Sequence, residues 1–96
     1  MDNHQIVRDF IAAWARLDPA ELGSYFAEDG VYHNMPAQPV ADRENVEKMI
    51  AGFIAPWTET AWEIVNLVSA GSVVIAERLD RTRAGEKGGG VLSKGI

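Results

Sequence analysis

The order of the hydrophobic periods constrains this chain more than any other feature. Apolar residues recur at spacings of three and four through the first half, then at spacings of two between Thr60 and Thr82. An α-helix repeats every 3.6 residues and a strand every two, so helices come first and strands follow. Ile6, Val7, Phe10, Ile11, Trp14 and Leu17 predict an amphipathic helix over residues 4–17. Asp18 is a good N-cap for a second, short helix, with Pro19 at its first position and an end near Ala27. Val31 to Asn34 reads as a brief strand, and Pro36 and Pro39 make Met35 to Ala41 a loop. Asp42 caps a third helix whose apolar stripe is Val46, Met49, Ile50, Phe53 and Ile54, ended by Pro56. Thr60–Ser69 and Ser72–Thr82 are two strands joined at Ala70-Gly71, which predicts an antiparallel hairpin. Segregated helices followed by antiparallel strands define an α+β class.

Composition narrows the alternatives. Ninety-six residues are enough for one small domain, and 47% hydrophobic residues suffice for a thin core. The chain contains no cysteine, which excludes a disulfide scaffold, and its apolar runs are far short of the ~20 residues of a membrane helix. The N-terminus MDNHQIVRDF carries acids and starts an amphipathic pattern, unlike a signal peptide. A soluble, cytoplasmic domain with no membrane partner is the expectation.

The net charge of −5 conceals an asymmetry. Residues 1–80 hold 13 acidic and 5 basic side chains, or −8, while Arg81, Arg83, Lys87 and Lys94 against Glu86 give +3 over residues 81–96. An acidic body lacks the coherent basic face that phosphate backbones require, so nucleic acid is not expected as a partner. From Gly85 onward the chain turns glycine-rich, GEKGGGVLSKGI, which reads as a basic tail that is a poor strand or helix and only weakly ordered.

Two pairs of residues could carry chemistry. Tyr32 and Asn34, two apart on the brief strand, could together hold a water or a carbonyl oxygen, or they are ordinary strand-end and turn residues. Arg78 and Asp80 share a strand face with Val74 and Ala76. If that face is interior, desolvation and the guanidinium move the proton affinity of Asp80; if it is solvated, the two form a surface ion pair worth at most ~1 kcal/mol. His4 and His33 lack metal-ligand spacing, no nucleophile elbow or phosphate loop occurs, and neither a metal nor an organic cofactor is expected. Trp14, Trp57 and Trp62 are candidates for core packing or an apolar pocket.

This order of elements resembles the cystatin-like cone fold of the nuclear transport factor-like, SnoaL-like superfamily. Within it, Phe26-Ala27-Glu28-Asp29-Gly30-Val31-Tyr32-His33-Asn34-Met35-Pro36 is similar to limonene epoxide hydrolases, as are Glu77-Arg78-Leu79-Asp80 and, between them, Arg43, Val46 and Glu47. The likeness covers roughly residues 5–84. It implies three helices packed on a curved antiparallel sheet, no cofactor, a homodimer, and a small apolar epoxide as substrate. Carried over by residue, it implies that Tyr32 and Asn34 hold the attacking water, that Asp80 protonates the epoxide oxygen, and that Arg78 bridges Asp80 to a second aspartate acting as base. Trp14, Met35, Ile50, Phe53, Ile54, Trp57 and Val74 would form the apolar wall of the pocket. Polyketide cyclases and ketosteroid isomerases share the fold, as do non-catalytic ligand-binding or oligomerisation modules. The family's later Trp-Arg-Asp-type motif has no counterpart, since no aspartate follows Asp80. A truncation or frameshift near Gly88 would explain this, and would leave an incomplete sheet with Ser72–Thr82 as an unpaired edge that invites a second copy.

Overall fold

The computed structural model describes residues 2–34, 37–84 and, for the backbone alone, 89–95. Met35 and the 85–88 segment of the tail lie outside the described residues. The chain divides into two compact units, Met1–Leu17 with Pro56–Ile96, and Asp18–Ala55.

The first unit begins with α1 (Asn3–Ala13), capped by Asp2, whose side chain accepts the Gln5 N–H at 2.8 Å. A 3₁₀ turn over Trp14–Arg16 follows, and Leu17 ends it in the left-handed region at φ 51°. The sequence predicts one α-helix to residue 17; the structure tightens its last turn, because Asp18 must be extended to start the next helix at Pro19. α1 lies against a sheet made of β3 (Trp57–Ala70), β4 (Val73–Ala84) and β5 (Gly89–Gly95), in that order and antiparallel throughout. Ile11, Ala13 and Trp14 are buried, and His4 Nε2 meets Ser69 Oγ at 2.8 Å from helix to strand.

The β3–β4 hairpin turns through Gly71 and Ser72, with Ala70 opposite Val73. Gly71 has φ +59°, a conformation that a Cβ makes costly, so Gly71→Ala is expected to destabilise the chain by about 1 kcal/mol, read from a denaturant midpoint. The period-2 reading of β3 holds only to Ile64. Ile64 faces Arg78 and Asn66 faces Glu77, so Val65 is an extra residue that switches the inward face from Thr60, Trp62 and Ile64 to Leu67. On the opposite face Val68 and Ile75 pair and remain 57% and 50% exposed.

The tail corrects an expectation. Residues 89–95 form β5, with Gly95 opposite Arg78, Ser93 opposite Asp80 and Gly89 opposite Ala84. β4 is therefore the central strand and not an unpaired edge. Strand pairing uses the backbone, so a glycine-rich segment of low intrinsic strand preference still pairs when a regular neighbour templates it.

The second unit begins with α2 (Pro19–Ser24), capped as predicted by Asp18, whose Oδ1 accepts from the Ala20 and Glu21 N–H groups at 3.1 and 3.4 Å. It ends three residues sooner than expected. α2 packs on α3 (Arg43–Ile54), and Gly23 makes the approach possible, since a Cβ there would lie 3.1 Å from Glu47 Cβ. β1 (Val31–Tyr32) pairs antiparallel with β2 (Val40–Ala41), so the end of the expected 35–41 loop is a short strand: Pro39 has no N–H, but the ladder starts just after it. Asp42 precedes α3 as expected but makes no side-chain cap. Its backbone sits at φ 75°, its N–H reaches Gly30 O at 2.8 Å and its C=O accepts Val46 N–H at 2.9 Å. Val46, Ile50 and Ile54 form the buried stripe of α3, whereas Phe53 is 40% exposed.

Candidate active site

The sequence pairs its chemistry by strand register. Thr60, Trp62 and Ile64 on β3 stand opposite Thr82, Asp80 and Arg78 on β4, all on the inward face. Asp80 is only 7% exposed, so the ion pair with Arg78 is an inward one and not a surface pair. Arg78 Nε lies 3.1 Å from Asp80 Oδ1 and 3.3 Å from Oδ2, so one N–H is shared by both carboxyl oxygens. Burial raises the pKa of Asp80 above the ordinary 3.8, and this outweighs the downward pull of the Arg78 charge and hydrogen bond. A carboxyl in that balance is biased toward its neutral form yet has a cation waiting for its anion.

The guanidinium is placed by its neighbours. Its carbon sits 4.4 Å from the centre of the Trp62 ring, a cation–π contact. The Trp62 indole N–H donates to Thr60 Oγ1 at 3.0 Å; Thr60 Oγ1 lies 2.7 Å from Thr82 Oγ1 and 3.3 Å from the Arg81 carbonyl. These bonds fix the indole plane on which the guanidinium rests. Trp14 stacks on Trp62 at 4.2 Å with 16° between planes, and stands 6.2 Å from Trp57. Trp14 is fully buried, and its Nε1 is a sealed polar atom without a partner among the described residues. Thr60 and Thr82 were not legible as site residues, and Trp62 was legible only as a candidate for core or pocket, because their role depends on a register that only pairing reveals.

Of the other expected site residues, Trp57 and Val74 are half-buried in the first unit. Tyr32, Asn34, Ile50, Phe53 and Ile54 belong to the second. Tyr32 is half-buried with its ring 5.8 Å from Phe26. β1 ends at Tyr32, so Asn34 is not on the strand; it is exposed, and its carbonyl accepts the Ala37 N–H at 2.8 Å. The strand alternation that would align the two side chains does not reach Asn34. Phe53, expected in an apolar wall, is exposed because the buried stripe of α3 advances in steps of four from Val46. Among the described residues, no cluster of three histidine or acidic side chains is placed to hold a metal, and no helix is long and apolar enough to cross a membrane.

A family model described as a SnoaL-like domain matches residues 7–94. The chain belongs to the SnoaL-like domain family. Solved structures carry the same fold. A hypothetical protein with a ketosteroid isomerase-like fold from Catenulispora acidiphila, solved with trimethylamine, is similar at TM-score 0.82 and 24% identity, over 93% of this chain and 69% of that one. A protein named as a scytalone dehydratase from Novosphingobium aromaticivorans matches at TM-score 0.81 and 18% identity, over 95% and 64%. An LEH-like epoxide hydrolase from M. tuberculosis matches at TM-score 0.77 and 18% identity, over 95% and 66%. At such identities the likeness shows the fold, which is the α+β architecture that the order of periods predicts. The SnoaL-like assignment is broader than the limonene epoxide hydrolase resemblance, since the fold carries proteins named for several activities.

The raised pKa of Asp80 has a consequence for folding. The native state binds this proton more tightly than the unfolded chain, so the stability it contributes is complete below 3.8 and is lost as the pH rises through the native value. Asp80→Asn, which cannot ionise, is therefore expected to gain stability relative to the wild type between about pH 3 and pH 7. Denaturant midpoints of both proteins across that range check it, and a constant difference would show that Asp80 is not desolvated.

Proposed function

We propose that this SnoaL-like chain is a hydrolase that adds water to a small apolar epoxide and releases a vicinal diol, without a cofactor. The observation that carries the reading is Asp80, a carboxyl 7% exposed, held toward its protonated form by burial and touched by a guanidinium. An epoxide opens when its oxygen gains a proton while water attacks carbon, and a neutral carboxylic acid in an apolar place is a suitable donor. Asp80 gives its proton to the epoxide oxygen as the C–O bond breaks, and the water oxygen forms the new bond to carbon. The added water then releases one proton to solvent, from which Asp80 regains its own. Arg78 contributes most after proton transfer, because the hydrogen bond from Nε strengthens when Asp80 becomes an anion. The LEH-like epoxide hydrolase among the similar folds and the Tyr32-x-Asn34-Met35-Pro36 and Arg78-x-Asp80 strings support the choice. By that resemblance half-buried Trp57 and Val74 supply apolar wall.

The test is diol formation from limonene epoxide and cyclic meso-epoxides, followed by gas chromatography beside Asp80→Asn. Diol that vanishes in the variant supports the hydrolase. A folded wild-type chain that forms none overturns it in favour of a non-catalytic ligand-binding module.

A further inference from the structure

The guanidinium of Arg78 is only partly used. It has five N–H bonds, and Asp80 takes the single one on Nε. Among the described residues the four on Nη1 and Nη2 have no hydrogen-bond acceptor, although the side chain is only 22% exposed. The sealed unpartnered atom among those residues is Trp14 Nε1, so the Arg78 nitrogens are reachable from solvent. Because water reaches them they are not orphaned, and a ligand acceptor there would replace that water with charge-assisted bonds. Trp62 beneath and Asp80 beside the group fix its plane and direction, so the open edge is presented in a set orientation.

From this geometry we infer that the Nη1–Nη2 edge of Arg78 is a binding seat for the carboxylate of a monoanionic ligand with an apolar body. Two parallel N–H bonds match the spacing of two carboxylate oxygens, which a lone carbonyl cannot fill. A single cation in a chain of net charge −5 favours a monoanion over a phosphate dianion. The apolar body follows from the surroundings: Ile64, Val74 and Ala76 occupy the same inward face, half-buried, and the Trp62 ring underlies the cation. This seat does not depend on the hydrolase reading, since binding needs no proton transfer.

The test titrates the full chain with benzoate and with its neutral isostere benzamide, following the three tryptophan indole N–H resonances by ¹H–¹⁵N NMR. Single Trp→Phe variants assign them. Benzoate is expected to shift the Trp62 indole saturably, with benzamide binding at least roughly tenfold more weakly. Arg78→Lys keeps the charge but loses the fork, and should weaken benzoate by about tenfold or more. Arg81→Gln, which alters an exposed pair with Glu63 on the other face, should leave it unchanged. The seat is refuted by equal binding of benzamide, by an unaffected Arg78→Lys, by an equal loss in Arg81→Gln, or by no saturable shift in the wild type. If Arg78→Lys does not fold, the benzoate–benzamide contrast on the wild type decides. Neither readout uses turnover, so a chain that forms no diol still answers this question.

Discussion

Trp14→Ala is expected to cost about 3–5 kcal/mol of folding stability. The side chain is fully buried and makes three ring contacts, with Phe10 at 5.9 Å edge-on, Trp57 at 6.2 Å, and Trp62 stacked at 4.2 Å. Alanine leaves a void beside Trp62 and removes dispersion contacts from all three rings. Domains of this size are stable by only about 5–15 kcal/mol, so the loss is a large share of the whole. A thermal melt followed by circular dichroism should show a drop of more than about 10 °C, or no cooperative transition at all. Trp14→Phe gives a sharper reading. It keeps an aromatic stack and removes an indole N–H that is buried without a partner among the described residues, a group that costs about 1–3 kcal/mol where it stands. The two effects oppose, so Trp14→Phe should destabilise far less than Trp14→Ala. Equal losses would mean that the indole nitrogen is bonded in solution.

Asp80→Asn is expected to lower diol formation by about 10²–10⁴-fold while leaving the fold intact. The amide has nearly the shape of the acid but no acidic proton to give. The same desolvation fixes the pH profile of the wild type. The acid must be protonated to act, so the rate holds below the raised pKa of Asp80 and falls as the pH rises through it. Arg78→Met should weaken the reaction differently: it leaves the acid protonated over a wider range but removes the cation that receives the carboxylate, slowing proton transfer. Initial rates of diol release for the three proteins across the acid-to-neutral range separate these effects. A rate that ignores both substitutions would remove Asp80 from the chemistry.

Much of the fold is legible in the sequence, and the reasons are local. Asp18-Pro19 announces a helix start because the carboxylate meets orphan N–H groups and proline has none to lose, and Asp18 caps α2 accordingly. The i, i+4 spacing of Val46, Ile50 and Ile54 marks the buried stripe of α3, although Phe53 is drawn into that pattern and stands 40% exposed, as Ile6 in the pattern of α1 stands 38% exposed. Gly71 marks the hairpin. Three of the departures share one cause. The bulge at Val65, the strand formed by the glycine-rich residues 89–95, and the Val40–Ala41 ladder are imposed by a paired strand, and composition does not register a partner.

The candidate site divides along the same line. The sequence by itself determined that Arg78 and Asp80 share a face with Val74 and Ala76, because side chains alternate along a strand whatever it pairs with. It also determined the α+β class, because helical periods dominate the first half of the chain and extended periods follow from Thr60. Only the tertiary structure decided that this face is the inward one, that Trp62 stands opposite Asp80, and that Thr60 and Trp14 hold Trp62 beneath the guanidinium. Register and burial are relations between distant segments, set by the sum of packing on both, and the proton affinity of Asp80 follows from them rather than from its neighbours in the chain.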